Sequence, residues 1–220
     1  MRNARSITGR CGGRPMILFV CEGNVCRSAL AEAVLRASLP TQLGITTGSA
    51  GTRALEGESA DVLTAQVAAA HGISLEGHKA RQLTPELLAN ADMVITATRQ
   101  LRSAAVQTYP PSVKYAFTLG QVARILQASE SAFDGGGLTG SALVASLARS
   151  VNQEKSRLVA PQGDDDDITD PRGRSVRIHE QVAEQVVVAV DELVRALGGE
   201  LVAWSPVRGH RWDIPGTAAG

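Results

Sequence analysis

The sequence predicts an α/β fold in which a doubly wound sheet of mainly four parallel strands is flanked by helices. Short apolar runs alternate with longer stretches of helical periodicity from residue 16 onward. Strands that are joined through single helices lie parallel, with right-handed crossovers. A polar loop also follows the first run, at the end of the strand where sheets of this type bind their ligands.

The predicted strands are short runs rich in β-branched or other apolar residues and bounded by glycine, proline or polar residues. The first run, Met-Ile-Leu-Phe-Val at 16–20, contains no polar residue, as expected for a strand buried on both faces. The predicted strands are 17–20, 45–49, 93–97 and 114–117.

The predicted helices end at residues that break helices. Pro40, Gly72, Pro110 and Gly198 each follow one of them, because proline cannot continue a helix and glycine adopts the backbone angles of a helix end. The last helix repeats valine and leucine every three or four residues, which places them on one face. The predicted helices are 28–38, 59–71, 99–108, 138–158 and 175–197.

One domain is expected to occupy residues 16–200, since a chain of 220 residues with 44% hydrophobic content can form one core. Residues 1–15 carry four arginines and no acid, which is typical of a disordered extension. Residues 129–165 are predicted to be an insertion or linker within the domain, and the carboxylates of 164–167 to be a solvated linker rather than a cation site. Residues 201–220 are expected to form an irregular tail.

Composition and charge argue against several classes of partner. The 22 acidic and 22 basic residues balance, so no electrostatic footprint for nucleic acid or an anionic membrane is expected. No apolar run reaches the roughly 20 residues that span a bilayer. Three cysteines do not form a secreted disulfide framework, and the four histidines lack the spacing of metal ligands. We therefore expect a cytoplasmic protein with no nucleic-acid or membrane partner, no metal and no cofactor.

Residues 21–28 read Cys-Glu-Gly-Asn-Val-Cys-Arg-Ser and connect the first strand to the first helix. The start of a helix has unpaired N–H groups and the positive end of a dipole, so it attracts an anion. A helix start beside an arginine also favours the thiolate of Cys21, the reactive form of a cysteine. The planar fork of Arg27 can bind two oxygens of a tetrahedral anion. This combination indicates nucleophilic attack on a phosphate-like oxyanion.

The other loop residues are expected to shape the site and bind the substrate. Gly23 and Asn24 tolerate backbone angles that curl the amides into a concave nest. Ser28 can either cap the helix or turn its hydroxyl toward the sulfur of Cys21. The loop residues predicted to bind substrate are Glu22, Gly23, Asn24, Val25, Cys26 and Ser28.

This loop resembles that of the low-molecular-weight protein tyrosine phosphatase family, which reads Cys-x-Gly-Asn-x-Cys-Arg-Ser and is usually followed by Pro, where this chain has Ala29. The resemblance spans about residues 16–197 and has no clear counterpart for 129–165. It implies a phosphomonoester hydrolase, by default a protein tyrosine phosphatase, that forms a phosphocysteine on Cys21. The further segments that carry the resemblance are 49–52, 77–83, 91–96 and 170–171.

The resemblance also assigns roles to Asp170 and Cys26. Asp170 precedes Pro171 and would protonate the leaving oxygen, then act as base toward the hydrolytic water, an effect worth about 10²- to 10⁴-fold. Two roles are possible for Cys26, and the sequence does not choose between them. Cys26 packs behind the loop, or it forms a reversible redox disulfide with Cys21, as in many family members.

Two departures from the family pattern concern the substrate. Aromatic residues that clasp a phosphotyrosine ring in the family are replaced here by Leu55 and Arg172, and only 3% of the chain is aromatic. Arg172 suits acidic residues or additional phosphates. We therefore predict weak discrimination for phosphotyrosine alone, with an acidic phosphoprotein or a small anionic phosphomonoester as the partner.

Two alternative functions stay open on the sequence. The first is an arsenate reductase, because the same loop can bind arsenate. No cysteine follows Cys26, so this activity would need an external low-molecular-weight thiol. The second is a phosphate-binding regulatory module without turnover, and the presence of Cys21, Arg27 and Asp170 argues against it.

Overall fold

The computed structural model describes residues 15–128, 133, 135–155, 157, 166–201 and 204. Its strands are β1 (Met16–Cys21), β2 (Thr46–Gly51), β3 (Met93–Thr96) and β4 (Ala116–Thr118). They form one parallel sheet in the order β2-β1-β3-β4, which confirms the predicted four-stranded sheet. The predictions for residues 1–14 and 205–220 fall on residues outside those described.

Helices cover both faces of the sheet, which confirms the doubly wound arrangement. Within the described residues the helices are α1 (Arg27–Ser38), α2 (Val62–Ala70), α3 (Pro85–Asn90), α4 (Arg99–Thr108), α5 (Leu119–Ala128), α6 (Gly140–Glu154) and α7 (Val176–Ala196). Side chains alternate along β1: Ile17 and Phe19 join the core beneath α1, α5 and α7, whereas Leu18 and Val20 pack on the α3 and α4 side. None of these helices is long and apolar enough to cross a membrane.

Helices α3 and α5 are absent from the sequence prediction. Helix α3 has a readable start, since Thr84 Oγ1 accepts a hydrogen bond from the Leu87 amide and Pro85 occupies the first turn. It is only six residues long, too short for a periodic signal. Helix α5 follows β4 with no connecting loop, so its apolar residues merge with those of the strand. Its buried residues include Leu119, Val122 and Ile125.

The segment predicted to be an insertion or linker, 129–165, contributes a helix to the core. Helix α6 buries Leu143, Val144, Leu147 and Val151 with the other helices on its side of the sheet. Its apolar residues recur every three or four positions, so they form one stripe that must be covered. The helix is shorter at both ends than the predicted 138–158.

One further prediction is wrong at two residues. Asp166 is 4% exposed and Asp167 contacts Arg99, so neither belongs to a solvated linker, while residues 164 and 165 lie outside the described chain. A contact distant in sequence fixes each of these two residues. Trp204, in the predicted irregular tail, stacks its ring on that of His71 with the centroids 3.8 Å apart.

Candidate active site

Asn24 holds the curved backbone of the loop between β1 and α1. Its φ of 58° lies in the left-handed region that asparagine tolerates. The buried side chain accepts a hydrogen bond at Oδ1 from the Arg81 amide (2.9 Å) and donates from Nδ2 to Ser28 Oγ (2.9 Å). His78 Nε2 donates to the Asn24 carbonyl at 2.7 Å. Hydrogen bonds to the side chain and to the carbonyl of Asn24 therefore fix the conformation of the loop, as a preorganised anion site requires.

The sulfur of Cys21 contacts two polar groups of its own loop. The Asn24 amide donates to Sγ at 3.2 Å, and Ser28 Oγ lies 2.9 Å from Sγ. Ser28 Oγ also accepts a hydrogen bond from the Asn24 side chain, and its own hydrogen is available for the sulfur. Of the two predicted roles for Ser28, the structure favours the contact with sulfur, and α1 begins without a side-chain cap.

Arg27 joins the loop to the distant Asp170. Its Nη1 donates to the Ile168 carbonyl at 3.0 Å, and its Nη2 donates to Asp170 Oδ2 at 2.5 Å. The arginine is 5% exposed, and its buried Nε has no partner among the described residues. The guanidinium is thus fixed on one side and retains a donor for an anion in the loop.

Asp170 lies at the edge of the site, with 40% of its side chain exposed. Its Oδ1 accepts a hydrogen bond from the Arg172 amide at 3.2 Å, and the buried Pro171 lies between them. Proline restricts the backbone angle φ, so the carboxylate is held over the loop and still reaches solvent. This placement suits a group that exchanges protons with substrate and water.

The segment after β2 forms a second wall of the site. Backbone N–H groups of Thr52, Arg53 and Leu55 donate to the carbonyls of residues 21–23 at 3.0–3.1 Å. Glu22 forms an ion pair with Arg53, whose side chain is 80% exposed. The loop and the β2 segment are therefore held together by backbone bonds, with a charged pair at the rim.

A cavity of about 410 Å³ opens above Arg27 and Asp170. Its other lining residues are Glu22, Thr52, Arg53, Thr98, Gln100, Leu101 and Ala104. Most of these are absent from the sequence prediction. The first turns of α4 follow β3, the neighbour of β1, so the rule that parallel sheets bind ligands at strand ends could have identified them.

Leu55 and Arg172 border the site without lining this cavity. Leu55 packs against Val25, Cys26 and Ala80 beside the loop. Arg172 is exposed and touches Asp170 through its backbone amide. The role predicted for these two residues in substrate binding stays a prediction.

Cys26 is a buried thiol behind the loop. Burial raises the pKa of Cys26 to about 12, although a hydrogen bond with the Thr64 side chain opposes this shift. Cys26 therefore stays protonated at neutral pH and does not compete with Cys21 as a nucleophile. Both cysteines are free thiols in the structure.

We expect Cys26→Ser to make oxidative inactivation permanent. In the wild type, peroxide converts the Cys21 thiolate to a sulfenic acid. Cys26 then loses its proton and attacks the sulfenic sulfur, which forms a disulfide and releases water. In the variant, further peroxide oxidises the sulfenic acid to a sulfinic acid, which dithiothreitol does not reduce. Dithiothreitol should then restore most activity to the wild type and little to the variant, measured as the fraction of each protein's own initial rate. Equal recovery in both proteins would show that Cys26 only packs behind the loop.

Comparison with known proteins identifies the family. The family described as low molecular weight phosphotyrosine protein phosphatase matches residues 16–121. The chain is 40% identical over 106 residues to EpsP of Ralstonia nicotianae, a probable low molecular weight protein-tyrosine-phosphatase, and the match covers 48% of this chain and 71% of EpsP. The chain belongs to this family. The Etp phosphatase of Escherichia coli, a further member, is 44% identical over 98 residues, 44% of this chain and 64% of Etp.

A solved structure supports the same assignment for the low molecular weight phosphatase fold. The YwlE arginine phosphatase from Geobacillus stearothermophilus superposes with a TM-score of 0.60 and 27% identity, covering 84% of this chain and 93% of that one. The predicted family, fold and phosphatase class are confirmed, and this chain is an enzyme of that class. Asp170 lies beyond the matched residues 16–121, and what links it to the loop is its contact with Arg27.

Proposed function

We propose that this phosphatase hydrolyses phosphomonoesters, phosphotyrosine in proteins above all, through a phosphocysteine on Cys21. The observation that carries the proposal is the pair of hydrogen bonds from Arg27 to the Ile168 carbonyl and to Asp170, because they bring the loop and the carboxylate together over one cavity. Nucleophile, anion binder and proton donor then meet at a single phosphorus atom.

The reaction proceeds in two displacements. The Cys21 thiolate attacks phosphorus while the bond from phosphorus to the ester oxygen breaks, and protonated Asp170 gives its proton to that oxygen. The carboxylate of Asp170 then takes a proton from water, whose oxygen attacks the phosphocysteine and releases phosphate and the thiolate. The loop amides and Arg27 stabilise the charge that develops on the phosphoryl oxygens in both steps.

Ser28 supports the second displacement. Its hydroxyl oxygen lies 2.9 Å from Cys21 Sγ, so it can donate to the thiolate that departs from phosphorus. A hydrogen bond to a charged group is worth about 1.5–3 kcal/mol. The loop therefore stabilises the sulfur both as nucleophile and as leaving group.

The cavity lining supports an anionic rather than a purely aromatic substrate. Among the described residues that line it there is no aromatic side chain, Arg53 at its rim is paired with Glu22, and the exposed Arg172 lies outside it. Aromatic stacking would add about 0.5–1.5 kcal/mol per pair, and Arg172 offers a positive charge instead. We propose a phosphoprotein with acidic residues near the phosphosite, or a small anionic phosphomonoester. The three cysteines of the sequence do not make a secreted disulfide framework, so we propose that the enzyme works in a reducing compartment, the cytoplasm.

A comparison of substrates on one preparation tests the proposal. A phosphotyrosine peptide and a small aryl phosphate should both be turned over, with a burst of product that reports the phosphocysteine. The similarity to an arginine phosphatase makes a phosphoarginine peptide the necessary competitor. Faster turnover of phosphoarginine would contradict the proposed substrate class. Arsenate-dependent consumption of an added thiol would indicate an arsenate reductase, and no turnover at all would indicate a phosphate-binding module.

We expect Asp170→Asn to slow substrates according to their leaving groups. Phenyl phosphate, whose oxygen leaves poorly, should lose about 10²- to 10⁴-fold in kcat, because it needs the proton. An activated nitrophenyl phosphate should lose much less. Asp191→Asn, which removes a partly buried carboxylate paired with Arg195 on α7, is the matched control and should change neither rate. Equal slowing of both esters by Asp170→Asn would mean that Asp170 is not the general acid.

Arg172→Ala should weaken the preference for acidic peptides. KM for a phosphotyrosine peptide with flanking glutamates should rise by up to about fivefold, since an exposed charge pair is worth up to about 1 kcal/mol. KM for a neutral peptide should stay the same. Arg174→Ala removes an equally exposed charge two residues away and is the control. Equal KM values for acidic and neutral peptides in the wild type would contradict the role of Arg172.

A further inference from the structure

We infer that Arg124 and Asp166 are positioning residues for the general acid Asp170, an inference that rests on the proposed function. Asp166 belongs to a run of four carboxylates that the mechanism does not use. In the structure it is buried and paired with Arg124 of α5. The pair holds the start of the segment that carries Asp170 into the site.

The contact between Arg124 and Asp166 is bidentate. Nε donates to Oδ1 and Nη2 donates to Oδ2, both at 3.1 Å, with the side chains 19% and 6% exposed. Two parallel bonds fix the orientation of the carboxylate as well as its position. Gly120 contributes a second contact, since a Cβ at Gly120 would lie 2.7 Å from the Asp166 carbonyl oxygen. The backbone of Asp166 can therefore rest directly on α5.

Asp167 and Ile168, the next two residues toward the site, are also held by hydrogen bonds. Asp167 Oδ1 accepts a hydrogen bond from the Arg99 amide at the start of α4 (2.8 Å). The Ile168 amide donates to the Ala97 carbonyl at 2.9 Å, and its carbonyl accepts from Arg27 at 3.0 Å. Three consecutive residues are thus attached to α5, α4, the end of β3 and the loop arginine.

The side chain of Asp170 is more exposed than that of Asp166 and has only two hydrogen-bond partners among the described residues. Its side chain is 40% exposed, and its contacts are Arg27 and the Arg172 amide. Its position therefore depends on residues 166–168, two to four positions earlier. A displacement of about 1 Å in a catalytic group can cost about 10²-fold in rate. Loss of one partner of a buried ion pair leaves an unpaired charge, which favours such a displacement.

Asp166→Asn should reproduce the leaving-group dependence of Asp170→Asn in a milder form. We expect kcat for phenyl phosphate to fall about 10- to 100-fold and kcat for a nitrophenyl phosphate to fall less than about threefold. Arg124→Lys keeps the charge but loses the bidentate geometry, so it should give an intermediate loss. Asp191→Asn removes a carboxylate paired with Arg195 on α7 and should leave the leaving-group dependence unchanged.

The double variant Asp166→Asn/Asp170→Asn separates positioning from a general structural effect. If Asp166 acts through Asp170, the double variant should be no slower than Asp170→Asn alone. If the loss in kcat of the double variant were the product of the losses of the two single variants, the inference would be overturned. Equal slowing of both esters by Asp166→Asn would also overturn it. Circular dichroism reports folding, and if Asp166→Asn does not fold, Arg124→Lys carries the same comparison. If Asp170→Asn itself shows no leaving-group dependence, the proposed function fails as well.

Discussion

Cys21→Ser should reduce phosphatase turnover by a factor on the order of 10⁴ or more, because a serine hydroxyl is not ionised at neutral pH and removal of a catalytic nucleophile has effects of this size. The fold should persist, since serine and cysteine are similar in volume and Cys21 occupies a polar pocket made by Asn24 and Ser28. The measurements are kcat on an aryl phosphate and the thermal midpoint followed by circular dichroism.

Cys11→Ser is the matched control for this variant. Cys11 lies outside the described residues and outside the loop motif of residues 21–28, so its replacement should leave kcat within about twofold of the wild type. Substantial turnover by Cys21→Ser, with a burst of product, would rule out the phosphocysteine. The same experiment excludes the alternative of a phosphate-binding module without turnover if the wild type shows steady catalysis.

Arg27→Lys should lower kcat by at least about 10²- to 10³-fold, the usual cost of losing one preorganised donor to developing charge. Lysine keeps the positive charge but not the planar fork, so it cannot bind the Ile168 carbonyl and Asp170 and still face the phosphate. The variant therefore tests geometry rather than charge. Inhibition by inorganic phosphate should weaken in parallel.

Arg36→Lys provides the matched control on the same helix. Arg36 pairs with Glu32 on the exposed side of α1, and surface pairs of this kind contribute little. Its replacement should leave kcat and phosphate inhibition unchanged. If Arg27→Lys also retained wild-type kcat, charge alone would suffice, and the bridge from Arg27 to Asp170 would have no catalytic role.

Most strands and helices could be predicted because their signals are local. The apolar run of β1 and the periodic face of α7 each lie within a few turns of chain, and a helix such as α4 ends at the prolines that follow it. Helix α5 could not be predicted, because it begins at the residue after β4. No loop separates the apolar residues of the strand from those of the helix, so only the packed structure shows where the strand ends.

The chemistry proposed for the loop can be predicted from the sequence alone. Cys21 and Arg27 are six positions apart on a turn between a strand and a helix, and this spacing predicts an anion site with a cysteine beside helix amides and a guanidinium. Asn24 likewise adopts the predicted left-handed angle. These contacts span fewer than ten residues, so spacing and residue type are sufficient.

Only the tertiary structure shows how distant residues meet at the site. The family resemblance predicted a role for Asp170, but its contact with Arg27 across 143 positions is visible only in the fold. The cavity wall comes from α4, and Asp166 is buried against Arg124 although it stands in a run of four carboxylates. A run of acidic residues predicts an exposed segment, because the local sequence carries no information about a distant, buried partner such as Arg124. The order of the sheet places the ends of β1 and β3 side by side, and that long-range pairing sets which loops meet over Cys21.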